Sequence, residues 1–238
     1  MKNNNKFRLD VWGAITLATI ALYALFLLYP MAYLIRQSVM DPDTGGFTLA
    51  YFTKFFSKSY YFDTLINSFK VSITATVLSI AIGTPLAYLF TIFKIKGKGV
   101  LNILIVVASM SAPFIGAYSW ILLLGRSGVI TTFFKDLGIA IPDIYGFGGI
   151  VLVMTLQLFP LVFLYAKGAL KNIDNSLIEA AENLGCSGIA CFFKVVVPLI
   201  MPTLLAAALL VFMRSFADFG TPMLIGEGYR TFPVVLYT

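Results

Sequence analysis

Long runs of apolar residues, broken by short polar stretches, dominate the pattern along this chain. No charged residue occurs from Val11 to Ile35. In a helix rising 1.5 Å per residue, such a run is long enough to cross a hydrocarbon layer about 30 Å thick. Trp12 and Tyr33 stand near its two ends, where amphipathic rings favour a membrane interface, and Pro30 is expected to bend its last turns. Four further uncharged runs, at 71–93, 100–125, 144–166 and 195–213, each predict a spanning helix. A last run, Thr231 to Thr238, is too short to cross and reads as the first turns of a sixth helix that the sequence does not finish. The pattern predicts an all-α integral membrane protein with five full spans plus the start of a sixth.

Polar and special residues inside these runs refine the picture. In the second, Thr74, Thr76, Ser79, Gly83 and Thr84 offer small or hydroxyl surfaces suited to close helix contact, and Pro85 interrupts regular hydrogen bonding. In the third, Pro113 predicts a kink within one span. Gln157 lies deep in the fourth run, and an amide in hydrocarbon needs a partner, so it should face other helices or a pathway and not lipid. Arg214 and Asp218 follow the fifth run four residues apart; on one helix face they are expected to pair, which reduces the cost of placing either in a low-dielectric region.

Composition sharpens the class. With 59% hydrophobic and 12% charged residues the chain has too little polar material to wrap a water-soluble core, and a mean hydropathy of +0.91 agrees. The net charge of +6 does not read as a nucleic-acid surface, because the basic residues cluster at the ends of the runs. Lys2, Lys6 and Arg8 precede the first, Lys94, Lys96 and Lys98 lie between the second and third, and Lys167 and Lys171 follow the fourth. Read as topology anchors, they put the amino terminus, the 94–98 connection and the 167–194 segment inside, and 36–63, 126–143 and 227–230 outside. The mixed aromatic and basic residues around 47–62 suit a surface-lying helix before the second span. There is no histidine, and two cysteines without further ligands make a poor zinc site, so Cys186 and Cys191 read as small packing residues. Neither a GxxxxGK[ST] phosphate loop nor paired intramembrane carboxylates are present, which argues against an embedded enzyme and against ATP hydrolysis by this chain.

Between the fourth and fifth runs lies EAAENLGCSGIACFFKVVVP, Glu179 to Pro198. Glu179, Ala180 and Ala181 continue a helix pattern begun near Asp174, and Gly185 and Gly188 let the backbone leave that helix and turn. The EAA triplet, the spacing to Gly185, and the further nine residues before Val195 resemble the cytoplasmic coupling loop of binding-protein-dependent ABC transporter permeases. Val195 and Val197 stand where isoleucine and leucine are common in that family. NSFKVSITATVLSIAIGTPLAY from Asn67 to Tyr88 is similar to the opening of the family's transmembrane domain. WILLLGRSGVI, Trp120 to Ile130, and ADFGTP, Ala217 to Pro222, with the later Gly226, are similar to its iron(III), aminoethylphosphonate and polyamine branch, with the best fit to the iron(III) type.

The resemblance implies a type I ABC importer transmembrane domain at 62–238, reading as truncated at its end, after an amino-terminal part at 1–61 that holds the first helix and an external segment. It implies that Glu179, Ala180, Ala181 and Gly185, in a coupling loop at 174–194, dock on a cytoplasmic ATPase dimer. ATP would then be used by that partner, with no catalytic residue, cofactor or metal on this chain. Further partners implied are a second permease half or subunit, an external substrate-binding protein and membrane lipid, with no nucleic acid. The implied setting is the bacterial inner membrane, with the amino terminus in the cytoplasm. Gln157, Arg214 and Asp218 are the candidate pathway residues, with Arg126 near the outer mouth. The favoured cargo is iron(III); a polyamine or aminoethylphosphonate importer is the alternative, and a non-transporting structural or assembly membrane protein is the rival from another class.

Overall fold

The computed structural model describes residues 11–41, 45–93, 95–186 and 188–237. Lys2, Lys6, Arg8, Pro42, Asp43 and Lys94, and the side chain of Glu182, lie outside the described residues. The chain divides into two compact units, Met1–Phe62 and Asp63–Thr238.

The first unit holds α1 (Val11–Tyr23), a π-helical turn (Ala24–Leu28), α2 (Tyr29–Val39) and α3 (Ala50–Ser57). The first three form one continuous apolar stretch, Val11–Val39, with none of its residues buried. An apolar helix that leaves its surface exposed is suited to lipid or to another membrane helix. Pro30 explains the wide turn before it. Its ring cannot donate to the carbonyl four residues back and would press on it, and opening that turn to i→i+5 bonding, as in the Tyr29 amide to the Ala24 carbonyl, relieves the contact. After α2, Met40 and Phe47 form an isolated antiparallel bridge, and the Thr48 hydroxyl accepts the Ala50 amide (3.1 Å) at the start of α3.

α4 (Ser59–Ile92) carries the chain into the second unit, where α5 (Lys98–Ser109), α6 (Pro113–Leu124), α7 (Val129–Asp136), α8 (Phe147–Lys171), α9 (Asn175–Asn183), α10 (Gly188–Cys191), a second π-helical turn (Phe192–Val196), α11 (Val197–Phe216), α12 (Gly220–Ile225) and α13 (Phe232–Tyr237) follow. Among the described residues five helical stretches are long and apolar enough to cross a membrane: Val11–Val39, Ser59–Ile92, Pro113–Asp136, Phe147–Lys171 and Gly188–Phe216. The fold is all-α and multi-pass, as the hydropathy pattern predicts. The second π turn repeats the logic of the first, with Pro198 two residues beyond it and the Val197 amide donating to the Phe192 carbonyl.

Three boundaries differ from those read in the sequence. The second span begins at Ser59 and not Val71, because the polar residues before Val71 find partners far along the chain. Asn67 Nδ2 donates to the Arg230 carbonyl (3.2 Å) and Ser68 Oγ accepts the Phe232 amide (2.8 Å), so the helix continues through them without an unsatisfied group. The third run is not one kinked helix: α5 ends at Ser109, and a new helix starts with Pro113 in its first turn. The fifth span begins at Gly188, so the later part of the 174–194 segment is already span.

The core of the second unit is the packing of α4 and α11 on α8. Ala75, Ser79, Gly83 and Ala87 recur every four residues along α4 and are all buried. This stripe of small residues lets two backbones approach closely. A β-carbon on Gly83 would lie 2.9 Å from the Phe159 carbonyl oxygen and 3.0 Å from the Phe163 amide nitrogen. Phe90 meets Phe163 edge to face (5.2 Å), and Phe69 meets Phe216 of α11 (5.1 Å). Of the residues read as contact-forming, Thr76, Ser79, Gly83 and Thr84 are buried, while Thr74 turns its hydroxyl back onto the Lys70 carbonyl (2.7 Å).

Candidate functional site: a cavity between interrupted helices

In the second unit α5 stops shortly before α6 begins, and α11 stops shortly before α12 begins. The break between α5 and α6 covers Met110 to Ala112, and that between α11 and α12 covers Ala217 to Phe219. Both breaks open on one cavity of about 480 Å³, lined by Ser109, Ser111, Phe114, Gln157, Arg214 and Asp218 among others. Gln157 lies ten residues into α8, about 15 Å along its axis, so the cavity sits near the middle of that span.

Each break is held by a side chain. A carbonyl freed from helical bonding inside a membrane needs a donor, and Gln157 Nε2 supplies one to the Ser111 carbonyl at 3.3 Å. Across the cavity, Asp218 Oδ1 accepts the amides of Gly220 (2.8 Å) and Thr221 (3.3 Å), and Oδ2 accepts the Thr221 hydroxyl (2.7 Å). Asp218 therefore caps the start of α12, satisfying amides that have no partner within the helix. Gly220 is buried against Phe114 of α6: a β-carbon there would lie 3.1–3.3 Å from the ring. The far end of α12 is tied to the start of α8, where the Gly146 amide donates to the Ile225 carbonyl at 2.9 Å.

All three candidate pathway residues read from the sequence thus line one cavity, but the expected Arg214–Asp218 pair does not form. Pairing four residues apart requires the helix to continue through both, and α11 ends at Phe216. Beyond that point the chain turns, the carboxylate serves α12, and Arg214 is left exposed on the cavity wall. Sequence reasoning missed Ser109, Ser111, Phe114 and Gly220. The signal for the second break was present: an aspartate followed by Gly220 and then Pro222 in the next turn is a helix-start pattern.

The 174–194 segment lies at the opposite end of α8. Asp174 Oδ1 accepts the Ser176 amide (3.0 Å) at the start of α9, and this bond holds the Asp174 carboxyl below the usual aspartate value. Glu179 and Ala180 are exposed and Ala181 is half-buried. Gly185 sits at φ +85°, a left-handed conformation that lets the chain leave α9 without strain, as the sequence predicts. Leu184, Ile189 and Phe193 around this turn are strongly exposed. Of the two cysteines, Cys191 is buried and Cys186 half-buried, and neither forms a disulfide.

At the end where α8 begins, Arg126 bonds Asp143 (3.1 Å) and Glu227 (2.8 Å) and lies over the Tyr145 ring (4.8 Å). It ties three loops together, and its charge is matched by two carboxylates.

A family profile described as the binding-protein-dependent transport system inner membrane component matches residues 46–237. The chain belongs to this family. Membership places it among transport components and agrees with the resemblance carried by the EAA segment. A ferric transport system permease protein of Actinobacillus pleuropneumoniae is 28% identical over 240 residues, which cover 100% of this chain and 34% of that protein. The spermidine/putrescine permease protein PotB of Haemophilus influenzae is 29% identical over 232 residues, covering 94% of this chain and 79% of that protein. The chain spans about a third of the length of the ferric relatives. Among solved structures, a bacterial alginate ABC transporter in complex with its periplasmic protein matches with a TM-score of 0.77 at 17% identity, covering 95% of this chain and 82% of that one, which shows a shared fold.

Proposed function

We propose that this chain is a membrane-spanning half of an ATP-driven importer for iron(III), with the cavity between the interrupted helices on the cargo route and α9 as the docking element for a separate ATPase dimer. The observation that carries the reading is the meeting of two helix breaks with Gln157, Arg214 and Asp218 on one cavity beside the middle of α8, a spanning helix. Interrupted helices that leave polar groups at mid-membrane are a recurring way to build a transport site. The exposed Glu179 and Ala180, the left-handed Gly185 and the exposed Leu184 and Ile189 support protein docking at the α9 end. The lysines at 96, 98, 167 and 171 support a cytoplasmic setting for that end in a bacterial inner membrane. A second permease half and an external binding protein complete the assembly.

A polyamine importer is the second reading. It is favoured by the likeness to PotB, of which this chain covers the larger share. The test is uptake of radiolabelled iron(III) and putrescine in cells that carry the neighbouring ATPase and binding-protein genes, with and without this chain. Iron uptake that disappears on deletion and returns with the chain supports the first reading. Putrescine uptake with that behaviour supports the second, and no change in either refutes both.

A further inference from the structure

The charges on the cavity wall point to the form in which cargo passes. Arg214 and Asp218 are its only charged lining residues among those described. Their formal charges offset, but their free hydrogen-bonding capacity does not match, because the carboxylate oxygens are already in use. Three donors from Gly220 and Thr221 occupy most of its acceptor sites. Arg214 makes no hydrogen bond or ion pair among the described residues, although it carries five donors in a fixed fork. The helix ends contribute no net sign, since α5 and α11 end at the cavity while α6 and α12 begin there. Gln157 has committed its amide donor to Ser111. What remains on the wall with its donors unused is one guanidinium.

We propose that Arg214 receives an anionic group of the cargo in this cavity, so that the permease passes solutes bearing carboxylate- or phosphate-type oxygens, including iron(III) held in such a complex, and rejects polycations. This rests on the importer reading above. A guanidinium fork matches the paired oxygens of a carboxylate or phosphate, so it would both hold and orient such a group. A polyamine would meet repulsion from Arg214 and find no free carboxylate. Bare iron(III) would find no ligand set, since no group of three or more His, Cys, Asp or Glu comes together among the described residues. The chemistry of the wall therefore separates the two kinds of cargo named for the relatives.

The test uses the complete transporter in proteoliposomes with its binding protein, and radiolabelled iron(III) citrate and putrescine as probes. Iron(III) citrate uptake is expected in the unaltered protein, with excess putrescine failing to compete. Arg214→Gln should raise the KM for iron(III) citrate by at least about tenfold, as for loss of one partner of a desolvated charge pair, while Arg214→Lys recovers part of the loss. The yield of the assembled complex should stay unchanged. Transport of putrescine that survives Arg214→Gln, or an unchanged KM for iron(III) citrate in that variant, would overturn the proposal and leave the importer reading standing. If neither probe is transported under ATP by the unaltered complex, the importer reading falls and takes this inference with it. Should Arg214→Gln fail to assemble, the competition experiment on the unaltered transporter decides alone: inhibition by putrescine overturns the proposal, and inhibition by free citrate supports it.

Discussion

Replacing Gly83 by alanine tests whether the α4–α8 contact is as close as described. The added methyl would lie 2.9 Å from both the Phe159 carbonyl oxygen and Val162 Cβ, and 3.0 Å from the Phe163 amide. Two of these are backbone atoms of a helix and cannot rotate away, so α4 and α8 must part by roughly half an ångström to reach ordinary contact. Parting them loosens the neighbouring contacts at Ser79 and Ala87 as well. Overpacking of this kind costs about 1–3 kcal/mol, while alanine returns up to about 1 kcal/mol through its better helix propensity. The expected net loss is up to about 2 kcal/mol, a factor of up to roughly 30 in the folding equilibrium, against a gain of up to about 1 kcal/mol where no clash opposes it. Gly168, also within α8, has nothing within 4 Å of its would-be β-carbon, so Gly168→Ala keeps the propensity gain without the clash. Unfolding of the purified chain in mixed micelles, followed by tryptophan fluorescence, should show Gly83→Ala destabilised and Gly168→Ala unchanged or slightly stabilised. Equal midpoints for the two variants would refute the reasoning, since propensity alone treats them alike.

Gln157→Leu should cost about 1–3 kcal/mol by leaving the Ser111 carbonyl without its donor, with Gln157→Asn too short to restore it; the same micelle assay measures both. Asp218→Ala removes the α12 cap and is expected to cost about 0.5–2 kcal/mol, whereas Asp218→Asn retains one acceptor oxygen and should cost less; equal losses would count against the cap. Gly185→Ala forces a residue with a β-carbon into the left-handed region at roughly 1–2 kcal/mol, so less ATPase should co-purify at unchanged membrane abundance, and undiminished recovery would argue against docking at α9. The Asp174 carboxyl is held low by the Ser176 amide, so its contribution to α9 is fully present above the ordinary value near 3.8 and is lost as pH falls through the lower folded value. An NMR titration giving Asp174 a pKa at or above 3.8 would rule that bond out.

The spans were legible because lipid imposes a coarse rule, an uncharged run of about twenty residues, that composition alone reveals. The α9 turn was legible because left-handed backbone selects glycine, and Gly185 stands where the pattern of Glu179 to Ala181 stops. What hydropathy could not show is backbone continuity. Met110, Ser111 and Ala112 are as apolar or small as their neighbours, yet the helix ends there because a side chain 46 residues away satisfies the freed carbonyl. The early start of α4 was hidden for the same reason, its polar residues being partnered by a segment more than 160 residues distant. Gln157 was found as a polar exception in an apolar run, and Arg214 and Asp218 as charges just beyond one, but the pairing expected of those two assumed a continuous helix. Local spacing names the residues; which of them meet depends on where the chain bends.

The two breaks give the second unit an uneven stiffness. Bending a regular helix must stretch a ladder of backbone hydrogen bonds, and at Gly83 it would also prise apart two backbones already in contact. Bending at residues 110–112 or 217–219 meets an interrupted ladder, held by a few turn bonds such as Met110 to Val107 and Asp218 to Ser215. The unit therefore resembles a rigid mast, α4 against α8, carrying two jointed arms whose joints coincide with the walls of the cavity. Force applied at either end will be spent at those joints first, and the space that changes shape is the one Arg214 faces.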